Sequence, residues 1–497
     1  MTAKSPLKSL AGQTVVYGMG TIVPRLLNYM LVPIYTRVFE DQATYGQVTE
    51  LYAYIAFLMV LLTYGMETAF FRFAQKNDPQ KVFNNAMSAI IISTVVFLAG
   101  VCLFYKTLAS WMQYDGNSEY ILIVAFIVAF DAVSAIPFAM LRKLNKARKF
   151  AMIRLVNVLI TILLNFITIL IFPRFFTTIA TQFFGDESSL VAWVLISNLV
   201  ASLLSLMMLG KILKSFKWSF EQNYLLPMLR YAWPVLIIGL AGMVNEMLDK
   251  ILLKYLLDPG EQPMVQLGIY GANYKLGVLM TLFIQMFRYA AEPFFFAEAE
   301  KKDAPELFAR VMNFFVISGI IIFLGVSLYM DIFKHLIGEK YRDGLSIVPI
   351  VLIANLLNGV YYNLAIWYKL TDKTLSGAYI AMGGALITIV LNFLLIPVFG
   401  YVGAAWTHLV TYFLMMVVSY FWGQKVFWIP YNVSRIGGYF ALGIGLFAVS
   451  ILLPEMHMAL KLLIHTLLFL IFIFSVSFIE KIDLKPSKIL KNLKRSK

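Results

Sequence analysis

Long, nearly continuous runs of apolar residues follow one another along almost the whole chain, separated by short polar segments. Most runs reach the length of about 20 residues that crosses a bilayer as an α-helix. The runs are continuous rather than alternating in segments of about ten residues, which excludes an outer-membrane barrel. Fourteen membrane helices are therefore predicted, near residues 12–38, 45–66, 83–108, 119–141, 150–172, 189–213, 229–256, 268–296, 309–330, 344–368, 374–397, 400–423, 433–453 and 457–479.

Composition supports this all-α, polytopic membrane class. The 497 residues are 60% hydrophobic and 14% charged, with a mean hydropathy of +0.78. An ordinary soluble domain is about 45–50% apolar and about 25% charged. These values exclude a soluble enzyme, a secreted disulfide scaffold, a nucleic-acid-binding domain and a disordered protein. The single cysteine, Cys102, allows no intrachain disulfide and no cysteine-based metal site.

The charges predict the orientation in the membrane. The net charge of +14 comes from 41 Lys and Arg against 27 Asp and Glu, and cytoplasmic loops collect such cations. Cations occupy the N-terminus, the second, fourth and sixth loops and the tail, which places both termini in the cytoplasm. The loop after the ninth helix opposes this rule, with Lys334, Lys340 and Arg342. The first run is too long for a signal peptide and has no evident cleavage site, so we expect it to be retained.

The chain also contains an internal repeat. The segment YGQVTELYAYIAFLMVLLTYGMETAFF at 45–71 aligns without gaps with YGANYKLGVLMTLFIQMFRYAAEPFFF at 270–296, and LITILLNF at 159–166 aligns with LITIVLNF at 386–393. The equivalent residues are Glu67 and Glu292, Lys143 and Lys369, and Asn165 and Asn392. Six helices separate the copies, so both enter from the same side. Parallel repeats of this kind are typical of transporters.

The repeat predicts a domain organisation. Residues 1–215 form an N-terminal lobe of helices 1–6, and residues 225–430 form a C-terminal lobe of helices 7–12. Residues 431–480 add helices 13 and 14, and residues 481–497 form a basic cytoplasmic tail. Because one chain supplies both halves of a path, we expect a functional monomer.

Several ionisable residues fall inside the predicted helices, where each costs roughly 2.5–3.5 kcal/mol on insertion scales. Such residues normally face a bundle interior or a watery cavity. Arg25, Lys275 and Arg288 are predicted to line a cationic substrate cavity. Arginine binds phosphate groups through paired hydrogen bonds, so the cargo is expected to be anionic.

The acidic residues leave two interpretations open. Glu67 and Glu292 are either ion-coupling or gating groups, or interfacial carboxylates paired with nearby cations. Asp131 is either a proton-coupling group or a capped structural acid. Asp249 and Lys250 are interpreted as a structural pair, and Glu246 as the helical i,i+4 partner of that lysine.

Polar and helix-breaking residues complete the predicted path. Pro24 and Pro33 flank Arg25 and would make the first helix bendable. Amides expected to line the cavity are Asn28, Asn165, Asn245 and Asn392. No metal or cofactor site is predicted, because the four histidines lack metal-ligand spacing and the chain has no Walker loop.

The segment VPRLLNYMLVPIYTRVFEDQATYGQVTELYAY from Val23, together with YGMETAFFRFA and LDKILLKYLL, resembles bacterial polysaccharide-biosynthesis flippases of the multidrug/oligosaccharidyl-lipid/polysaccharide exporter superfamily. The resemblance implies alternating access and transport of undecaprenyl-pyrophosphate-linked oligosaccharide across the inner membrane for O-antigen, capsule or exopolysaccharide assembly. Cationic residues line the central cavity in this family, and the resemblance implies that Arg25 is one of them. Implied partners are the lipid-linked substrate, membrane lipids, a polysaccharide polymerase and glycosyltransferases, and no nucleic acid.

Three alternatives stay open. A lipid II flippase shares the fold and a cationic cavity. A multidrug cation antiporter shares the fold but usually has twelve helices and an acidic cavity. A non-transporting scaffold for glycosyltransferases has little reason to bear the cost of buried charges.

Overall fold

The computed structural model describes residues 22–171, 188–371, 373–454 and 456–481, which are mainly helical and contain no strand. The helices are α1 (22–29), α2 (Val32–Val38), α3 (Gln42–Thr63), α4 (Met66–Phe73), α5 (Pro79–Trp111), α6 (Glu119–Lys143), α7 (Ala147–Asn165), α8 (Ser188–Met208), α9 (Gly210–Leu213), α10 (Gln222–Leu256), α11 (Pro263–Leu276), α12 (Val278–Glu298), α13 (Ala304–Ser327), α14 (Met330–Phe333), α15 (Ile347–Leu364), α16 (Ile366–Leu370), α17 (Thr374–Val426), α18 (Val433–Ile451) and α19 (Met458–Ile479).

The predicted all-α membrane class is confirmed. Within the described part of the chain, ten helices are long and apolar enough to cross a membrane, and α11 with α12 adds an eleventh if the pair is one span. All fourteen predicted runs contain helix. The count of fourteen spans and the division into two six-helix lobes stay predictions. The N-terminal lysines and most of the basic tail lie outside the described residues.

The first predicted helix is interrupted at the second of its prolines. Residues 22–29 form α1, Met30 and Leu31 form a turn, and α2 begins with Pro33 in its first turn. Proline has no N–H, so it fits the first turn of a helix, where N–H groups lack intrahelical partners. The sequence thus places a break between the Arg25 segment and the predicted outer end.

The helix α17 is interrupted at Gly400. This residue has φ 57° and ψ −139°, so helical geometry holds only on either side of it. A Cβ atom there would lie 2.2 Å from Oε1 of Gln266, and the same oxygen accepts a hydrogen bond of 3.3 Å from the N–H of Tyr401. Only glycine combines this backbone conformation with such a close approach. The turn separates the eleventh and twelfth predicted runs.

The chain forms two compact units. Unit 1 contains the described residues within Met1–Lys275, Ile337–Gly344 and Leu375–Thr411. Its apolar core near the predicted cytoplasmic end includes Phe70, Phe83 and Met228, all fully buried. These residues come from α4, α5 and α10, so this core joins helices of the predicted N-terminal lobe to the first helix of the predicted C-terminal lobe.

Within unit 1, α3 and α11 also touch at the predicted outer end. A Cβ on Gly46 would lie 2.1 Å from the carbonyl oxygen of Met264, and one on Gly268 would lie 2.0 Å from that of Gln42. Only glycines allow the two backbones to approach this closely. The start of helix 2 is therefore packed against the start of its repeat counterpart, helix 8.

Unit 2 contains the described residues within Leu276–Leu336, Leu345–Thr374 and Tyr412–Lys497. One of its cores includes Phe295, Phe308 and Ile366 from α12, α13 and α16. The rings of Phe295 and Phe308 meet edge to face, with centroids 4.9 Å apart. Phe287, Ala291 and Phe295 of α12 pack in or against this core and flank Arg288 and Glu292 in the sequence.

Candidate functional site

Unit 1 exposes cations inside its membrane helices. Arg25 of α1 and Arg154 of α7 are both exposed, and Arg154 interacts electrostatically with Arg25 and with Asp131 of α6. The Arg154 guanidinium lies 4.3 Å from the centroid of the Phe138 ring. Two arginines and one carboxylate near each other leave a local excess of positive charge. Such a cluster is able to bind an anion.

Arg154 was missed by the sequence reasoning. It lies one turn inside the predicted run 150–172, next to the cationic fourth loop, where an arginine is ordinary. Only the packing of α7 against α6 shows that it shares an environment with Asp131. The predicted role of Asp131 in ion coupling stays a prediction.

Lys275 of α11 is also exposed, and its ammonium lies 5.5 Å from the centroid of the Tyr29 ring. Tyr29 is on α1, one turn after Arg25. Within the described chain, neither Lys275 nor Arg25 forms a salt bridge. Both predicted cations are therefore accessible.

Unit 2 contains a small concavity lined by both charged and apolar side chains. The Arg288 guanidinium lies 4.0 Å from the centroid of the Tyr362 ring, and the ammonium of Lys369 lies 2.6 Å from Oε1 of Glu292. The apolar part of the lining includes Phe287, Ala291, Phe295 and Ile366. Because Lys369 is paired with Glu292, Arg288 gives this concavity a net positive charge.

The two glutamates of the repeat form equivalent ion pairs. In unit 1, Glu67 of α4 pairs with Arg142 near the end of α6. In unit 2, Glu292 of α12 pairs with Lys369 of α16. Lys369 aligns with Lys143 in the repeat, so the cation has shifted by one position between the copies. The paired interpretation of these carboxylates fits the geometry, while their coupling or gating role stays a prediction.

A second class of charges is buried in α10. Asp249 and Lys250 are 1% and 6% exposed, and the lysine ammonium lies 3.3 Å from the carboxylate. Asp249 also accepts a hydrogen bond from Tyr270 and lies 3.0 Å from Nε2 of His408. Lys250 donates to the backbone oxygen of Glu246 at 2.9 Å rather than to its side chain. This pair is saturated by neighbouring groups, as expected for a structural pair.

Another buried pair was missed by the sequence reasoning. Glu50 of α3 is fully buried, and the ammonium of Lys254 lies 3.1 Å from its carboxylate. Tyr114 donates to the same carboxylate at 2.6 Å, and Lys254 donates to the Met112 carbonyl at 2.6 Å. Glu50 stands in the polar stretch TYGQVTELY, so no sequence signal distinguishes it from a surface residue.

The predicted cavity amides occupy different environments. Asn28 is exposed on α1, whereas Asn165, Asn245 and Asn392 are buried. Asn165 accepts from Tyr35 at 2.8 Å, and Asn245 accepts from Thr388 at 3.0 Å. A lining role for these amides stays a prediction. Within the described ranges, no group of three or more His, Cys, Asp or Glu residues could hold a metal ion.

The sequence matches the family of polysaccharide biosynthesis proteins over residues 10–297, which is more than half of the chain. The chain belongs to this family. No curated protein sequence is detectably similar to it.

Solved structures share the fold. One is described as lipid II flippase MurJ in an inward closed conformation, at TM-score 0.65 and 15% identity, covering 94% of this chain and 100% of that one. Another is an inward-facing multidrug resistance MATE family transporter of the MOP superfamily, at TM-score 0.61 and 12% identity, covering 86% and 99%. The MATE multidrug transporter DinF-BH matches at TM-score 0.58 and 16% identity, covering 86% and 98%. This member of the polysaccharide biosynthesis family thus has the fold of multi-pass membrane transporters.

Proposed function

We propose that the chain is a flippase that moves undecaprenyl-pyrophosphate-linked oligosaccharide from the cytoplasmic to the outer leaflet of the bacterial inner membrane. The product feeds assembly of O-antigen, capsule or exopolysaccharide. Transport proceeds by alternating access between the two repeat halves, with both termini in the cytoplasm. The family supports the polysaccharide part of this proposal, and the fold supports the transport part.

The observation that supports an anionic substrate is the set of exposed cations within membrane helices. Arg25 and Arg154 on one set of helices, and Arg288 on α12, are accessible rather than buried in ion pairs. Their guanidinium groups match the geometry of phosphate oxygens. The pyrophosphate contacts Arg25 and Arg154 of unit 1 while the lipid tail stays in the bilayer, and Arg288 of unit 2 offers a separate anion-binding group. A multidrug cation antiporter would place acidic groups in these positions.

A lipid II flippase is the second candidate, because a protein of that description shares the fold over almost the whole chain. Its cargo also joins a lipid to an anionic linkage, so the exposed cations fit both substrates. The two candidates differ in the process that fails when the chain is removed.

The test is the fate of lipid-linked glycan in a deletion strain. We expect undecaprenyl-linked oligosaccharide to accumulate in the cytoplasmic leaflet while surface polysaccharide is lost and growth continues. Arrested wall synthesis with normal surface glycan would favour the lipid II alternative. Altered drug tolerance with normal glycan would favour the antiporter. A scaffold would reduce glycan synthesis without accumulation of the lipid-linked intermediate.

A further inference from the structure

The connection between the two repeat halves is an extended segment held against α5. After α9 the chain leaves helical geometry, and residues 216–221 have no regular secondary structure before α10 begins at Gln222. We name residues 214–221 the linker strap. It lies at the predicted cytoplasmic end, between a helix that ends there and one that begins there.

Polar side chains of α5 bind the backbone of the linker strap. The Gln80 side chain donates to the Ser215 carbonyl at 2.8 Å, and the N–H of Lys217 donates to Oδ1 of Asn84 at 3.2 Å. Further along, Ser88 accepts from the N–H of Ser219 at 3.1 Å, and Asn85 accepts from the N–H of Glu221 at 2.8 Å. The backbone groups of alternate residues thus bind α5, and the strap has a fixed register on that helix.

The intervening residues form a row of aromatic rings. Phe216 packs against the apolar core of unit 1 and meets Trp218 edge to face at 5.1 Å, and Trp218 stacks with Phe220 at 6.1 Å. Trp218 is 60% exposed and Phe220 is 49% exposed. The row begins in the core and ends at the surface, although these rings would gain free energy from leaving water.

The lysines of this segment and the apolar face of the next helix indicate which kind of molecule covers the exposed rings. Lys211, Lys214 and Lys217 are exposed and lie within nine residues of the aromatic row along the chain. The next helix continues with an exposed apolar face at Leu226 and Trp233, seven residues apart. Aromatic rings and lysines at the end of membrane helices are typical of the headgroup region, and lysines there favour anionic lipids.

We propose that the linker strap is a binding surface for anionic phospholipid headgroups in the leaflet at this end of the protein. Trp218 and Phe220 enter the headgroup layer, and Lys214 and Lys217 bind the lipid phosphates. The hydrogen bonds to α5 then fix the depth of the only covalent connection between the two repeat halves. This proposal does not rest on the substrate of the transporter.

Ring depth is tested by spin labels in the full chain. Because Cys102 is the single cysteine, Trp218→Cys and Phe220→Cys in a Cys102→Ser background each carry one nitroxide. In vesicles of phosphatidylglycerol and phosphatidylcholine, we expect both labels to collide more with oxygen than with a water-soluble nickel chelate. Gln75→Cys, in an exposed loop at the same end, is the matched control and should show the opposite preference. Labels at 218 and 220 that behave like the control would overturn the proposal.

Lipid charge is tested by the double variant Lys214→Glu, Lys217→Glu. We expect the ratio of phosphatidylglycerol to phosphatidylcholine retained by the purified chain to fall about tenfold. The reason is that two lysines that attract an anionic lipid surface are replaced by glutamates that repel it. The control Lys76→Glu, from the loop between α4 and α5, should retain the lipid. An unchanged ratio in the double variant would contradict the proposal. Neither measurement requires transport, so a failure of the proposed flippase function would leave both results unaffected.

Discussion

The charges buried along α10 and the exposed cations of the candidate site are two solutions to placing charge in a membrane. Lys254 is enclosed by Glu50, the Met112 carbonyl and the ring of Tyr114, which lies 4.0 Å from its ammonium. Arg25 and Lys275 are exposed and form no salt bridge within the described residues. A satisfied charge can stabilise the fold, whereas an accessible one keeps its hydrogen-bonding capacity for a ligand. The difference predicts which charges contribute to folding and which remain available for the proposed transport.

The largest expected effect is the loss of folding stability when the buried pair of Glu50 and Lys254 is broken. Glu50→Ala leaves the Lys254 ammonium without its counter-charge, and breaking a buried pair in this way costs about 3–5 kcal/mol. We expect a large fall in the thermal unfolding temperature of the chain in detergent. The double variant Glu50→Leu, Lys254→Met replaces both charges with apolar groups and should recover most of the loss. If Glu50→Ala were as stable as the unmodified chain, the buried pair would not contribute to folding and the distinction between the two classes of charge would be wrong.

The exposed class predicts the reverse behaviour. Arg25→Ala should leave insertion and thermal stability unchanged, because no carboxylate in the described part of the chain forms a salt bridge with this guanidinium. Transport of lipid-linked glycan should fall roughly tenfold to a hundredfold, as expected for the loss of charged hydrogen bonds worth about 1.5–3 kcal/mol. Arg25→Lys keeps the charge without the planar geometry and should recover transport in part. Full transport by Arg25→Ala would remove this residue from the site.

The repeated ion pairs fall between the two classes. Glu292→Gln frees Lys369 in the unit 2 concavity while costing about 0–1 kcal/mol, since both side chains are partly exposed. We expect inorganic pyrophosphate to bind the purified variant several-fold more tightly. The repeat counterpart Glu67→Gln removes the carboxylate that pairs with Arg142 and provides the matched comparison. Tighter binding in neither variant would show that these pairs lie away from the anion site.

The smallest prediction concerns Asp331, which lies outside the candidate membrane-spanning helices. Hydrogen bonds from Lys334 and Lys461 lower the pKa of Asp331 from 3.8 to about 2. A lowered pKa stabilises the folded chain above pH 3.8, and this contribution is lost as the pH falls through about 2. Asp331→Asn should cost about 1 kcal/mol at neutral pH. Thermal unfolding in detergent should show this difference shrinking below pH 4, and a constant difference would contradict the assignment.

The alignment of the two repeat copies predicts some of the site residues but not all of them. Alignment of the two copies places Glu67 opposite Glu292, and both glutamates form ion pairs with cations from matching helices. The alignment does not identify the first of those cations, because Arg142 stands one position before the residue equivalent to Lys369. Side-chain length and helix rotation decide which neighbour reaches the carboxylate.

Burial is the property that the sequence could not supply. Asn165 and Asn28 have the same side chain in similar apolar runs, yet the first is fully buried against Tyr35 and the second is exposed. In a membrane helix all faces are apolar, so the usual contrast between an apolar and a polar face is weak. Whether an isolated polar side chain is buried or exposed depends on which helices pack beside it.

The sequence by itself determined the helical membrane class, the approximate positions of the helices and the family. Each depends on local properties: run length, composition and short motifs act over a few turns of one helix. The tertiary structure alone decided that Glu50 and Lys254 are partners, 204 residues apart, and that Arg154 shares an environment with Asp131 and Arg25. Electrostatic interactions act over a few ångströms in space, and only the packing of distant helices sets those distances.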